Sequence, residues 1–371
     1  MDTRPSFLGA LALIGVLSLS TTALSQNEYE IGGRRASGMG GAGLAAKRDA
    51  GYRGFRNPAA YGLSRGFRFL TPTIGYHMSG LNLKELQDNL GSTGSGGVPL
   101  NTLGEFAQMF GDERARFGAV GDAGLNFGGL HVGASGFATV MTVPNAPLQA
   151  WVASGGDPLT LVGTERLDGY GLGVQTIDVA FGRATVTPDG RESSVGARAR
   201  IVRSYYSHHF ADSATIGAGG GSSPGTEMGG ANVVSKSGLA LDVGYLMDLD
   251  ESGSLTGAVV LNNLLEPGVG VDAALSGGGT SEVHAFKRTL NFGVAMQPSK
   301  ELLYAVDLID VGNNSGATEL RFGGEFMAGS AFGFRAGYAG RTGWSVGATV
   351  LGIQVSVSKE LPLGLTTNFK F

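Results

Sequence analysis

Apolar side chains alternate with small or polar ones in segments of about ten residues along most of this chain, and that period of two constrains the fold more than any other feature. In "FKRTLNFGVAMQ", Phe286, Arg288, Leu290, Phe292, Val294 and Met296 point one way and Lys287, Thr289, Asn291, Gly293, Ala295 and Gln297 the other. Strands produce this pattern because successive side chains leave opposite faces. "LALDVGYLMDL" sets Leu239, Leu241, Val243, Tyr245, Met247 and Leu249 against Ala240, Asp242, Gly244, Leu246 and Asp248, and "AFGFRAGYAG" sets Phe332, Phe334, Ala336 and Tyr338 against Gly333, Arg335, Gly337 and Ala339. A soluble sandwich would turn the polar face to water. A membrane barrel turns the apolar face to lipid and gathers glycine and charge in its lumen.

About fourteen such segments centre on Phe69, Val120, Thr139, Thr176, Arg198, Val243, Val259, Leu290, Val306, Phe322, Phe334, Val346, Val355 and Thr367. Their length is near the roughly 9 to 11 residues that cross a bilayer when tilted. Connections of the order of 20 to 35 residues follow the first, third, fifth and seventh; short turns such as Gly128-Gly129, "DESG" and "PSK" fall between. Long loops at one end and short turns at the other is the layout of an outer-membrane barrel with both termini in the periplasm. The only long apolar run, Phe7 to Leu19, is too short for a stable anchor and is followed by Ala23-Leu24-Ser25, so residues 1–25 read as a signal peptide cleaved near Gln26. With no helical span elsewhere, a membrane fate requires a barrel, because only helices and closed barrels satisfy their backbone in lipid.

Composition agrees. Charged residues are 16% and glycines number 65 in 371 residues, against roughly 25% and 7% in soluble domains. Cysteine is absent, which removes disulfide scaffolds, thiol chemistry, cysteine-based metal sites and a lipoprotein anchor. A net charge of −4 without a basic cluster argues against nucleic acid as a partner. No cofactor or metal is expected.

In "ASGMGGAGLAAKRD", Gly38, Gly40 and Gly43 have the G-x-G-x-x-G spacing of a dinucleotide fingerprint. That fingerprint needs a buried strand before it, a helix after it and an acidic residue about 20 positions on. "NEYEIGGRR" is no buried strand, Gly51, Gly54 and Pro58 stop a long helix, and residues 60–65 contain no Asp or Glu. The glycines are therefore expected to serve tight turns and close backbone approach.

"GMGGAGLAAKRDAGYRGFRNPAAYG" resembles the N-terminal plug of the FadL-type superfamily of outer-membrane transporters of hydrophobic compounds, with Gly38, Gly40, Gly41 and Gly43 leading to Asn57, Pro58 and Ala59. "GLALDVGYLMD", "GAVVLNNLLEPG", "LNFGVAMQPSKELLYAVDLIDV", "FGGEFMAG" and "FRAGYAGRTGWSVGATV" look like the C-terminal half of that group, and "TPTIGYHMSGLNLKELQDNL" looks most like its TraF-like branch. The resemblance implies an all-β, transmembrane antiparallel barrel of about fourteen strands over residues 65–371, a plug over 26–64 and long extracellular loops. It further implies passive binding and transport of hydrophobic compounds such as long-chain fatty acids. The alternative is a conjugal-transfer or secretion component with no small-molecule role, whose partners would be conjugation or secretion proteins.

Residues expected to face the lumen are Asp242, Lys287, Asn291, Asp307, Glu319, Arg321, Glu325 and Arg335, with Asp242, Asp307, Glu319 and Glu325 as counterions for Arg34, Arg35, Lys47, Arg48, Arg53 and Arg56 of the plug. "LTTNFKF" ends in alternation on Phe369 and Phe371, like the signal read by the barrel-assembly machinery. Two loops are unusually apolar. One holds Leu103, Phe106 and Phe110 on one helical face; the other holds Leu148, Trp151, Leu159 and Leu161. Such residues either capture a hydrophobic ligand at the mouth or pack together as a cap. Adjacent His208 and His209 would face opposite sides of a strand, so they form no joint catalytic site, and no other nucleophile constellation suggests an enzyme. "DLDESG" lacks the acidic twelfth residue of a calcium loop, Val259 standing there, and reads as a periplasmic turn.

Overall fold

The computed structural model describes residues 38–47, 57–64, 66–79, 115–154, 164–212, 234–269, 271–274, 280–283, 286–314, 318–329, 331–340, 343–351, 353–358 and 363–367. The signal segment 1–25, the loop residues Leu103, Phe106, Phe110, Leu159 and Leu161, the terminal Phe369 and Phe371, and Arg34, Arg35, Arg48, Arg53 and Arg56 lie outside them.

In chain order the strands are β1 (Phe67–Ser79), β2 (Ala115–Phe127), β3 (Leu130–Pro144), β4 (Arg166–Val186), β5 (Glu192–Asp212), β6 (Val234–Asp248), β7 (Leu255–Asn262), β8 (Val271–Ala274), β9 (Thr280–Val283), β10 (Thr289–Met296), β11 (Leu302–Ile309), β12 (Glu319–Ala328), β13 (Phe332–Ala339), β14 (Gly343–Val350), β15 (Ile353–Ser358) and β16 (Leu363–Thr367). Around the sheet, sequence neighbours pair antiparallel, and β1 closes on β16 through Thr73 opposite Thr366 and Tyr76 opposite Leu363. The small β8–β9 hairpin stands apart, so β7 pairs directly with β10, Phe292 opposite Val259. Every segment centre read from the alternation falls within a strand of this closed sheet. Among the described residues no helix is long and apolar enough to cross a membrane.

The two faces of the sheet are the reverse of a soluble protein's. Phe334 is 65% exposed, Trp344 68% and Ile177 59%, while Asp242, Asp307, Glu319 and Glu325 are almost wholly buried. A sandwich core would exclude those carboxylates, since burying a charge is costly unless it is paired. On β10 the burial alternates as expected, with Asn291, Gly293 and Ala295 inside and Phe292, Val294 and Met296 outside. The outer apolar row of β5 runs through Val195, Ala197, Ala199 and Ile201 and then meets Arg203, whose guanidinium lies over the Tyr205 ring at 5.1 Å. Tyr205 donates to Gln175 at 2.9 Å, so the apolar band ends in an aromatic and polar rim.

Short turns join the strands at one end: Gly128-Gly129, and the tight turns over 187–191, 249–254 and 297–301. The strand ends Ser79 and Ala115, Pro144 and Arg166, Asp212 and Val234, and Asn262 and Thr289 lie at the other end. One expectation fails at a strand boundary. Phe286 is not on the outer face with Phe292; β10 starts only at Thr289, and Phe286 is turned inward at 5% exposure because the preceding connection folds into the barrel.

The "DLDESG" turn is a hairpin held by its own side chain. The Asp250 carboxylate accepts from the hydroxyls of Ser252 and Ser254 and from the Leu255 N–H, and these bonds hold its pKa down to about 2. A depressed carboxylate stabilises the fold above its unfolded pKa, and that contribution is lost as pH falls through about 2. Carboxyl-carbon NMR is expected to show Asp250 titrating near 2; a midpoint at the usual 3.8 would contradict the turn geometry.

Candidate functional site

The described N-terminal residues run along the inner face of the sheet. Residues 38–41 meet β12, β13 and β14, residues 43–44 meet β10 and β11, Lys47 reaches the ends of β5 and β6, and residues 57–62 meet β3 to β6. Close approach is possible because the wall is glycine at the points of contact. A Cβ on Gly323 or Gly337 would overlap the Met39 backbone, one on Gly293 would meet Leu44, and one on Gly244 would overlap the Asn57 amide. All four of these wall glycines share a local pattern: Asp242-Val243-Gly244, Asn291-Phe292-Gly293, Arg321-Phe322-Gly323 and Arg335-Ala336-Gly337 each place a polar residue inside, an apolar one outside and a glycine inside. Separate strands thus repeat a seat, with Asn57 at Gly244, Leu44 at Gly293 and Met39 at both Gly323 and Gly337. Sequence reasoning misses this signal because repetition over segments of different length hides a three-residue pattern.

The segment's own glycines do a second task. Gly40, Gly41 and Gly43 all have positive φ, which turns successive backbone N–H groups to one side. Gly40 donates to the Ser345 hydroxyl at 2.7 Å. Gly43 donates to Asp307 at 2.7 Å and Leu44 to the same carboxylate at 3.1 Å. The G-x-G-x-x-G turn therefore does cradle an anion, and the anion is a wall carboxylate rather than a phosphate. Met39 and Leu44, at 1% and 3% exposure, bury beside Ala258, Ala295 and Ala305 of the wall, a gain of about 1.5–3 kcal/mol each.

Asn57 ties the segment together. It caps the 3-10 helix Pro58–Leu63 by accepting from Ala59 N–H at 3.0 Å, and its amide donates to the carbonyls of Leu44 and Tyr245 at 3.2 Å each. Pro58 begins the helix where no N–H is required. The Ser194 hydroxyl donates to the Ala59 carbonyl at 2.7 Å, and Tyr61 stacks on His131 with ring centroids 4.6 Å apart. His131 in turn lies between Asp178, at 3.1 Å, and Asn126.

Of the residues expected in the lumen, Asp242, Asn291, Asp307, Glu319, Arg321, Glu325 and Arg335 are all buried on the inner face, and Lys287 is half-buried just before β10. For Lys47, the one cation of the expected set among the described residues, the charge pairing differs from the expectation. Asp242 holds Arg198 and Arg200 of the neighbouring strand, Arg321 donates to Glu319 and Arg335 to Glu325. Lys47 binds Asp248 at 2.8 Å and Glu192 at 2.6 Å, not the four carboxylates assigned to it. Burial opposes the Lys47 charge, but the bonds to Asp248 and Glu192 outweigh it and raise its pKa above the usual lysine value. The reason is local: Lys47 comes to rest at the strand ends, where Glu192 opens β5 and Asp248 closes β6. Leu148 and Trp151 lie on a short helix, α1 (Ala146–Ala153), and are buried rather than exposed at 5% and 7%. His208 and His209 lie within β5, opposite Tyr170 and Gly169. No cluster of three or more metal-ligating side chains occurs among the described residues.

Asp307→Ala is expected to leave two buried N–H groups without their acceptor, a loss of about 3 kcal/mol that speeds hydrogen exchange at Gly43 and Leu44 roughly a hundredfold; unchanged exchange would contradict the anchor. Gly337→Val is expected to push Met39 off the wall and open the Lys47 bond to trypsin, whereas retained resistance would mean the close approach is dispensable.

No family model matches the chain, and no curated protein matches it either. Solved structures do. A deltaS2S3 variant of the TodX monoaromatic hydrocarbon channel aligns with TM-score 0.50 and 13% identity over 91% of this chain and 99% of that one. The CymD monoaromatic hydrocarbon channel aligns at 0.48 and 14% over 92% and 98%, and the Pseudomonas putida toluene transporter TodX at 0.43 and 14% over 88% and 91%. At 13% identity and a TM-score of 0.50, the likeness to the TodX variant speaks to the fold alone.

Proposed function

We propose that this chain is an outer-membrane barrel of FadL type, exported by its signal segment 1–25, in which residues 26–64 form a plug and residues 65–371 a fourteen-stranded transmembrane wall. The plug motif is Gly38, Gly40, Gly41, Gly43, Asn57, Pro58 and Ala59. Small hydrophobic molecules pass it without an energy source, and monoaromatic hydrocarbons and long-chain fatty acids are the substrate classes. One observation carries this reading: a segment lies inside a closed, inside-out barrel and touches its wall backbone to backbone. Leu148 and Trp151, buried together on α1, belong to the cap over the mouth. The outer face takes lipid as its partner, and the barrel-assembly machinery reads Phe369 and Phe371. A conjugation or secretion role of TraF-like kind draws support from no feature of the described residues.

The test is uptake. Cells lacking their own hydrocarbon and fatty-acid channels and expressing this chain are expected to take up labelled toluene or oleate several-fold faster than cells carrying the empty vector. Equal uptake of both, with the protein folded in the outer membrane, would sink the transport reading.

A further inference from the structure

The outer face of the wall changes character where the apolar band ends, at the end of the barrel away from the short turns. Along β5 the outward row Val195, Ala197, Ala199 and Ile201 gives way to Arg203 and Tyr205, and along β6 Val243, Leu241 and Leu239 give way to Ser237 and Ser235. On β4 the step is from Ile177 to Gln175. Cross-strand register makes these polar side chains one patch: Arg203 lies between Gln175 and Ser237, and Tyr205 beside Ser235. The same rim on β12 to β14 is aromatic instead. There Phe322, Tyr338 and Trp344 pack with ring centroids 5.1 to 6.0 Å apart, and Trp344 is largely exposed.

Arg203 distinguishes this patch. Inside the barrel arginines hold carboxylates: Arg198 and Arg200 hold Asp242, Arg321 holds Glu319 and Arg335 holds Glu325. Outside, the exposed Arg203 has Gln175, Ser235 and Ser237 for neighbours, none of them acidic. Its guanidinium is nevertheless fixed. It lies over the Tyr205 ring at 5.1 Å and its Nη2 donates to the Ser235 hydroxyl at 3.4 Å, while Tyr205 is itself held by its bond to Gln175. A cation that is positioned without being neutralised keeps most of its N–H donors for whatever adjoins the wall. A guanidinium fork matches a phosphate through paired hydrogen bonds, which a lysine ammonium does not. β5 continues from Arg203 to Asp212, roughly 30 Å of strand, so the wall stands beside the headgroup layer here rather than ending beneath it.

We propose that Gln175, Arg203, Tyr205, Ser235 and Ser237 form a docking site for the phosphorylated headgroup of a glycolipid in the outer leaflet, its phosphate on the Arg203 guanidinium and its sugar against Tyr205 and the two serines. The charges are complementary. The acyl chains of such a lipid lie on the apolar row Ile177, Ile201 and Leu239 directly below the patch, and the hydroxyls and amide above that row match the hydrogen-bonding groups of a sugar. The aromatic rim of β12 to β14 offers no such cation among Phe322, Tyr338 and Trp344. The proposal rests on the outer-membrane reading of the wall and adds which arc of it selects a headgroup.

The purified full chain in detergent, titrated with lipid A, a bisphosphorylated and acylated glucosamine disaccharide, and followed by native mass spectrometry, is expected to bind it about tenfold more tightly than the same lipid stripped of its phosphates. Arg203→Gln is expected to abolish that preference with the barrel still heat-modifiable on a gel. Arg183→Gln, which removes an exposed cation opposite Val195 near the short turns, is expected to keep it. A preference intact in Arg203→Gln would overturn the site, and so would its loss in both variants, which would reveal attraction to charge in general. Failure of the unmodified protein to fractionate with the outer membrane would instead bring down the reading of the wall, while the detergent titration still decides whether Arg203 selects phosphate.

Discussion

An outer surface made of Phe, Val, Leu and Ile provides no hydrogen-bond partner, so every backbone N–H and C=O of the wall must be satisfied within the sheet. The pairing of β1 with β16 meets that demand by removing both edges. Closure has a second consequence. Barrels of about eight strands are filled by their own side chains, and wider ones are not. This wall is wider, and its inner face carries glycine and alanine where larger side chains would have narrowed it. The interior therefore needs chain from elsewhere, and among the described residues it receives it from two places: the N-terminal residues and the connection after β7.

Both insertions are held by the same chemistry. Inward polar residues of one strand capture the backbone of the entering chain, Asp307 at Gly43 and Leu44, Ser194 at Ala59, Asp242 at Asn263 and Ser204 at Val269. Wall glycines then let that backbone lie flush. The parallel extends to the end of β11, where Asp310 also has positive φ and donates its N–H to Asn291, as Asn263 does to Asp242. The polar-apolar-glycine pattern of β6, β10 and β12 is thus more than strand alternation. On β6 and β10 it encodes an anchor followed by a seat, Asp242 holding Asn263 and Asn291 holding Asp310, whereas on β12 Arg321 bonds Glu319 of its own strand beside the Gly323 seat. Charged-to-backbone bonds of this kind are short and strong enough to fix a segment without a large hydrophobic core.

Much of this is legible in the residues themselves. Alternation separates the two faces correctly for β6, β10 and β13, because a half-buried strand must alternate whatever it faces. The sorted connections distinguish the two ends of the barrel. Gly38 to Gly43 declare close approach and tight turns, but their sequence context sets aside the anion cradle together with the nucleotide. What cannot be read is the partner, since Asp307 is 264 positions from Gly43 and no local rule spans that distance. Period two also misleads at Phe286, where the pattern runs past the start of β10 into chain that bends inward. The Lys47 pairing fails for a related reason: no local rule shows that Lys47 comes to rest where β5 begins and β6 ends, beside Glu192 and Asp248.

The central claim is that the N-terminal segment lies against the inner wall. Gly38 and Gly347 test it most directly, because a Cβ on either would stand 3.2 Å from the Cα of the other. With Gly38→Cys and Gly347→Cys in a chain otherwise free of cysteine, mild oxidation of native membranes is predicted to form a disulfide within single molecules, seen as a faster-migrating band under non-reducing, denaturing conditions. Failure to cross-link in folded barrels, with the thiol introduced at position 38 freely modified from solution, would contradict the account.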